Sequence, residues 1–130
     1  MMKNLLLLLL FTPGFLFASS GNPTLDAITA ALGSGNVETL SKYFADNVQI
    51  SIQDKEKMYS KTEAVEAVRT FFAGAKPQSF SEVHKGTSRG TSDQYCIGNL
   101  AATSGTYRVY LYLKVNGSAI TIQEIRLDKE

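Results

Sequence analysis

Hydrophobic positions follow three successive rhythms along this chain. From Leu5 to Phe11 the residues are apolar without a break, Pro13-Gly14 interrupts the run, and Phe15-Leu16-Phe17 resumes it. From residue 23 the spacing becomes three and four. Leu25, Ile28 and Leu32 share one face and predict a helix over 23–32, with Asn22 as cap, Pro23 at the tolerated first position and Gly33-Ser34-Gly35 as its end. Asn36 then caps a second short helix carrying Val37, Leu40, Tyr43 and Phe44 on one face. A third helix is predicted over 61–73. Ser60 and Glu63 have the spacing of a capping box, Val65, Val68 and Phe72 make the buried stripe, and Gly74 and Pro77 stop it.

Elsewhere the period is two. Val48, Ile50 and Ile52 alternate with Gln49 and Ser51, and Gln53-Asp54-Lys55-Glu56 is a polar turn into a short strand ending near Tyr59. Four further strands are predicted at 80–87, 94–103, 106–116 and 119–127. Asn116-Gly117 between the last two is a strong hairpin signal, because both residues tolerate positive φ. It also matches an N-x-S glycosylation acceptor at Asn116–Ser118, but the turn already explains the residues. In the strand over 106–116, Tyr107, Val109, Leu111, Leu113 and Val115 point one way; Arg108, Tyr110, Tyr112 and Lys114 point the other. The order helix, helix, strand, strand, helix and then a four-strand antiparallel meander predicts an α+β fold, with the three helices of the N-terminal half packed on one face of a mainly antiparallel sheet of about six strands.

Composition separates the first segment from the rest. Lys3, the apolar run and the small residues Ala18-Ser19-Ser20 form the pattern of a secretory signal peptide, with cleavage expected after Ser20 or, alternatively, after Ala18. Pro13-Gly14 breaks the stretch well short of the ~20 apolar residues of a membrane span. Residues 1–20 are therefore read as a leader and 21–130 as one domain, exported to the periplasm or beyond, with no stable membrane anchor after cleavage. Of the 130 residues, 110 remain without the leader, with 12 basic and 12 acidic side chains. That balance argues against binding nucleic acid, which requires a basic patch. A single cysteine, Cys96, excludes an internal disulfide.

The order of elements resembles the nuclear-transport-factor-2-like superfold, a curved sheet wrapped round helices to form a cone with a pocket. Finer motifs are similar to a family of small exported proteins of unknown function, mostly from Bacteroidetes. They are the stretch from Ser34 to Phe44, Tyr59-Ser60-Lys61, Phe71-Phe72, His84-Lys85-Gly86, Tyr95-Cys96-Ile97-Gly98 and, most specifically, Gly105-Thr106-Tyr107-Arg108-Val109-Tyr110. The resemblance implies a fold and an export route and carries no catalytic residues. Members of the superfold include isomerases, dehydratases and binding modules, so the site has to decide function.

Few residues offer chemistry. An isomerase-like site needs a base and an oxyanion donor. His84 is the sole histidine, and Glu82, two residues away, shares its face if the strand is regular. The competing arrangement has both on the solvent face with Val83 inward beside Phe80 across a local irregularity, and is favoured because no other acid converges. Cys96 has no neighbouring base and reads as a small buried strand residue. One His and one Cys cannot build a typical zinc centre, so no metal or other cofactor is expected. Gly86, Gly90, Gly98 and Gly105 form no phosphate-binding motif and read as turns, bulges or bends.

The tyrosines are richer. Tyr43, Tyr59, Tyr95 and Tyr107 are candidates to line a pocket for a moderately apolar ligand, against the alternative that their rings simply fill the core. Arg108, Tyr110, Tyr112 and Lys114 form a stripe suited to an interface, expected to join two copies of the chain. The function expected is a non-catalytic module binding a small apolar ligand or a protein partner; a small lyase or isomerase using Glu82 and His84 is the alternative.

Overall fold

A computed structural model describes residues 22–130; the expected leader lies outside the described residues. Its helices are α1 (Pro23–Ser34), α2 (Val37–Ser41) and α3 (Lys61–Gly74). Its strands are β1 (Phe44–Ile52), β2 (Lys55–Ser60), β3 (Pro77–Thr87), β4 (Gln94–Ala102), β5 (Gly105–Asn116) and β6 (Ala119–Lys129). The six strands form one sheet in the order β2-β1-β6-β5-β4-β3. β3 to β6 are the expected antiparallel meander, and β1 joins it by running parallel to β6.

Local chemistry accounts for the helix ends. The Asn22 side chain accepts hydrogen bonds from the amides of Thr24 and Leu25, and Asn36 accepts one from Thr39. At α3 the capping box is complete: Ser60 Oγ accepts from the Glu63 amide at 3.3 Å and Glu63 Oε1 from the Ser60 amide at 3.1 Å. Two details differ from the periodic reading. α2 ends at Ser41 and Phe44 opens β1, in register with Ile122. A long-range ladder, including the Ile122 amide on the Tyr43 carbonyl, overrides the local helical spacing there. On α3 the buried stripe is Ala64, Val68 and Phe72, with Val65 at its half-buried margin.

The core lies between the helices and one face of the sheet. On β5, Val109, Leu111 and Leu113 are fully buried and Tyr107 nearly so, as the alternation predicts. Their partners Leu100 on β4 and Ile125 and Leu127 on β6 extend the apolar surface, and Ile28, Leu32, Leu40, Val48 and Ile50 complete it. Each such side chain stabilises the fold by roughly 1.5–3 kcal/mol relative to exposure. Irregularities bend the sheet: pairing shifts between Phe44 and Gln49 on β1, between Glu82 and His84 on β3, and opposite the Tyr112–Leu113 step of β5.

Gly98 is a close-approach residue rather than a bend. A Cβ there would stand 2.2 Å from Phe80 Cζ and 2.6 Å from the Ser81 carbonyl oxygen. The missing side chain lets the Phe80 ring lie across β4. Gly98→Ala is expected to lower unfolding free energy by about 1–3 kcal/mol in urea denaturation. Shortening Phe80 at the same time should restore only part of that loss, because the second clash is with backbone.

Candidate functional site

A recess lies where α3 passes the β1–β2 hairpin. Gln53 and Asp54 make that hairpin's two-residue turn, both with positive φ (52° and 69°). The turn is tied down by the Gln53 amide on the Leu127 carbonyl and by the Lys129 amide on Gln53 Oε1. Ile52 and Tyr59 thereby stand beside the flank of α3 carrying Ala67 and Phe71, and a groove of about 490 Å³ opens between them. Thr62, Glu63, Glu66 and Thr70 form its rim. The Phe71 ring meets Tyr107 edge-on at 5.1 Å between centroids, which anchors the groove's floor to β5. Lys57 Nζ sits 5.2 Å from the centre of the Tyr59 ring.

The four candidate tyrosines do not converge. Tyr59 lines the groove. Tyr107 is buried behind it with its hydroxyl 2.8 Å from Ser104 Oγ. Tyr43 packs against the core at the entry to β1. Tyr95 belongs to the opposite end of the sheet, where it borders a smaller depression of about 270 Å³ with Leu25, Lys85 and Gln94. Ile52, Ala67, Phe71, Glu63 and Glu66 were not named as site residues from sequence, where Glu63 reads as a helix cap and Ile52 as a strand residue. Only the i,i+4 pair Ala67–Phe71, beside the buried stripe, hinted at a second apolar strip on α3.

Glu82 and His84 are separated by the β3 bulge. Glu82 is in register with Gly98, on the side of the sheet that carries Cys96 and Leu100; His84 is in register with Ile97 on the outer side. The same-face pair required a regular strand, and Val83 is the extra residue that removes it. Val83 is not tucked inward beside Phe80 either, since 56% of it is exposed. Both Glu82 and His84 are exposed, and His84 Nε2 lies 3.1 Å from the Tyr95 hydroxyl. Cys96 is fully buried. Burial first, and the Glu82 charge second, push its thiol up to about 11, the reverse of what a nucleophile needs. Among the described residues no three His, Cys, Asp or Glu side chains stand close enough together to hold a metal ion.

The outer face carries the expected stripe. Tyr112 is paired with Tyr95 and Tyr110 with Ile97 across the β4–β5 ladder, while Arg108 and Lys114 stand at the exposed ends. Arg108 Nε donates to Asn99 Oδ1, and its guanidinium meets Glu130 at 3.1 Å. Tyr112 donates to Asp93 Oδ2 at 2.8 Å, and Asp93 Oδ1 accepts from the Val115 amide at 3.0 Å. The Val115 amide bond foremost, then the Tyr112 bond, hold the Asp93 carboxyl below its usual range. Burial raises the Tyr110 phenol, with the nearby Glu124 charge adding to it.

A bent, mixed sheet closing over three helices defines a nuclear-transport-factor-2-like α+β domain. A structure of such a protein from Cytophaga hutchinsonii superposes with a TM-score of 0.61 at 10% identity, covering 82% of this chain and 93% of that one, a likeness of fold alone. Residues 25–128 match the family described as Domain of unknown function (DUF4783), and the chain belongs to that family. Crystal structures of family members from Bacteroides ovatus and Bacteroides uniformis are similar to it, at 32% and 30% identity, both with a TM-score of 0.75. They cover 80% and 81% of this chain and 93% and 95% of their own. No curated protein matches the chain.

The Asp93 bonds have a measurable consequence. A carboxyl lowered in the folded state contributes stability above the ordinary Asp range and loses it as pH falls through the folded titration. The urea midpoint of the native chain should exceed that of Asp93→Asn near neutral pH, and the gap should close as pH drops below about 4. A gap independent of pH would remove the charged role assigned to Asp93.

Proposed function

We propose that this chain is an exported, non-catalytic binding module whose ligand is a small, largely apolar molecule held in the groove between α3 and the β1–β2 hairpin. The observation that carries this reading is the groove's lining. Ile52, Tyr59, Ala67 and Phe71 are half-buried, present apolar surface to an opening of about 490 Å³, and are held in place by the core behind them. That volume falls within the ~300–1,000 Å³ of small-molecule sites, and an apolar bed with a few polar groups at its edge is their usual composition. Export is supported by the signal-peptide pattern of residues 1–20. A lyase or isomerase reading has less support, because Glu82 and His84 stand on opposite sides of β3 and neither lines the groove.

Ala67→Leu extends a side chain into the groove with little change in helix propensity. The uncharged probe Nile red should brighten with the native chain and lose at least most of that enhancement with the variant, while thermal unfolding stays the same. Equal enhancement by both proteins would overturn the reading.

The outer face supports a second reading, pairing of two copies through Arg108, Tyr110, Tyr112 and Lys114. Arg108 is paired with Glu130 and Arg126 with Glu124, which leaves Lys114 as the stripe's one cation without an ion pair among the described residues, so a second copy meets aromatic surface with little like-charged field. Light scattering at micromolar concentration should give a dimer mass that falls to the monomer in Tyr110→Glu. A monomer mass for the native chain would overturn it.

A further inference from the structure

The rim of the groove is chemically one-sided. Its charged side chains are Glu63 and Glu66, and no lysine or arginine lines it. Glu63 uses Oε1 on the Ser60 amide and, among the described residues, has no ion-pair partner. Glu66 meets Arg69 Nε at 3.5 Å, but Arg69 lies on the other flank of α3, where its Nη2 reaches Glu38 at 3.3 Å. On the hairpin, Lys55 and Lys57 stand on the inner side of β2 in register with Ile52 and Ile50, neither of them lines the groove, and Lys57 Nζ lies over the Tyr59 ring. That contact marks the ring as a surface that accepts positive charge, through the negative face of its π-system. Apolar floor, aromatic wall and two carboxylates at one edge together complement a molecule with an apolar body and a single positive charge.

We infer that the groove selects small amphipathic cations, with an aliphatic or aromatic body on Ile52, Ala67 and Phe71 and an ammonium group at Glu63 and Glu66. This rests on the groove being a ligand site at all. The carboxylates are exposed, so each contributes the modest attraction of a surface ion pair, up to roughly five-fold in affinity, while the apolar floor supplies the larger share. Neutral and anionic molecules of the same length are therefore bound more weakly, the anion most weakly of all.

The test compares octylamine, octanol and octanoate at neutral pH, following the backbone amide resonances of α3 and β2 in the full domain. Binding should fall in the order amine, alcohol, carboxylate. In the double variant Glu63→Gln/Glu66→Gln the amine should weaken by roughly four- to tenfold and the alcohol should not change. Glutamine at residue 63 still completes a capping box, so α3 keeps its start, and an unchanged thermal midpoint verifies this. Equal binding of all three probes, unaffected by the double variant, would overturn the cation selectivity while leaving the groove a ligand site. No perturbation of α3 or β2 by any probe would overturn both.

Discussion

Everything in this domain depends on covering the inner face of the sheet with too little helix. Six strands at about 4.8 Å spacing put their outermost axes about 24 Å apart if flat. Two helices of about 10 Å diameter, α1 and α3, with the single turn-and-a-half of α2, must shield that width. The solution is curvature. Bulges on β3 and β6 and the long pairing step on β1 turn the edges of the sheet toward the helices, with α1 on β3 and α3 on β1 and β2. β5 can then bury its inner row completely. The absence of a side chain at Gly98 belongs to the same solution, since Phe80 crosses β4 there to close the space under α1.

Curvature also explains where the groove is. β2 is a short edge strand, and its inward positions hold Lys55, Lys57 and Tyr59 in register with the apolar Ile52, Ile50 and Val48. Two lysines and a tyrosine cannot be sealed under a helix as leucines can, so α3 stands off from β2 beyond Ala64 and Val68. The gap is floored by Ile52, Ala67 and Phe71. Lysine on an edge strand is a familiar guard against unwanted strand pairing. Here the same residues leave apolar surface open on the inner side.

Much of the fold was legible in the sequence because its signals are local. The Ser60–Glu63 box, the Asn22 and Asn36 caps, the alternation of β5 and the Asn116-Gly117 turn each occupy a few adjacent residues, and each stands where local chemistry places it. What was not legible depends on partners distant in the chain. Phe44 fits a helical face by spacing, yet pairs with Ile122. Val83 gives no local sign of being a bulge residue, and that one extra residue reverses the relation between Glu82 and His84. The groove was half legible: Tyr59 could be named as an aromatic near an element end. Of its partners, Ile52 read as one member of a strand's apolar alternation, while Ala67 and Phe71 fell outside the predicted stripe of Val65, Val68 and Phe72, and the fold of β1 and β2 against α3 set them beside it.

The polar groups that first suggest chemistry are mostly engaged in holding structure. Asp93 ties the Tyr112 ring and the Val115 amide to one loop, Tyr95 meets His84 and lies over Gly86, Glu63 caps α3, and Cys96 is sealed against Leu111 with its thiol raised by burial. An acid/base mechanism needs groups free to exchange a proton inside a shielded space. Among the described residues, Glu82 and His84 lie on open surface, apart from the groove and its apolar floor. The groove itself is a shape, an apolar recess with Glu63 and Glu66 at its lip. An apolar bed with a few polar groups at its edge is the usual composition of small-molecule sites, and the proposed recognition of such a molecule rests on that shape.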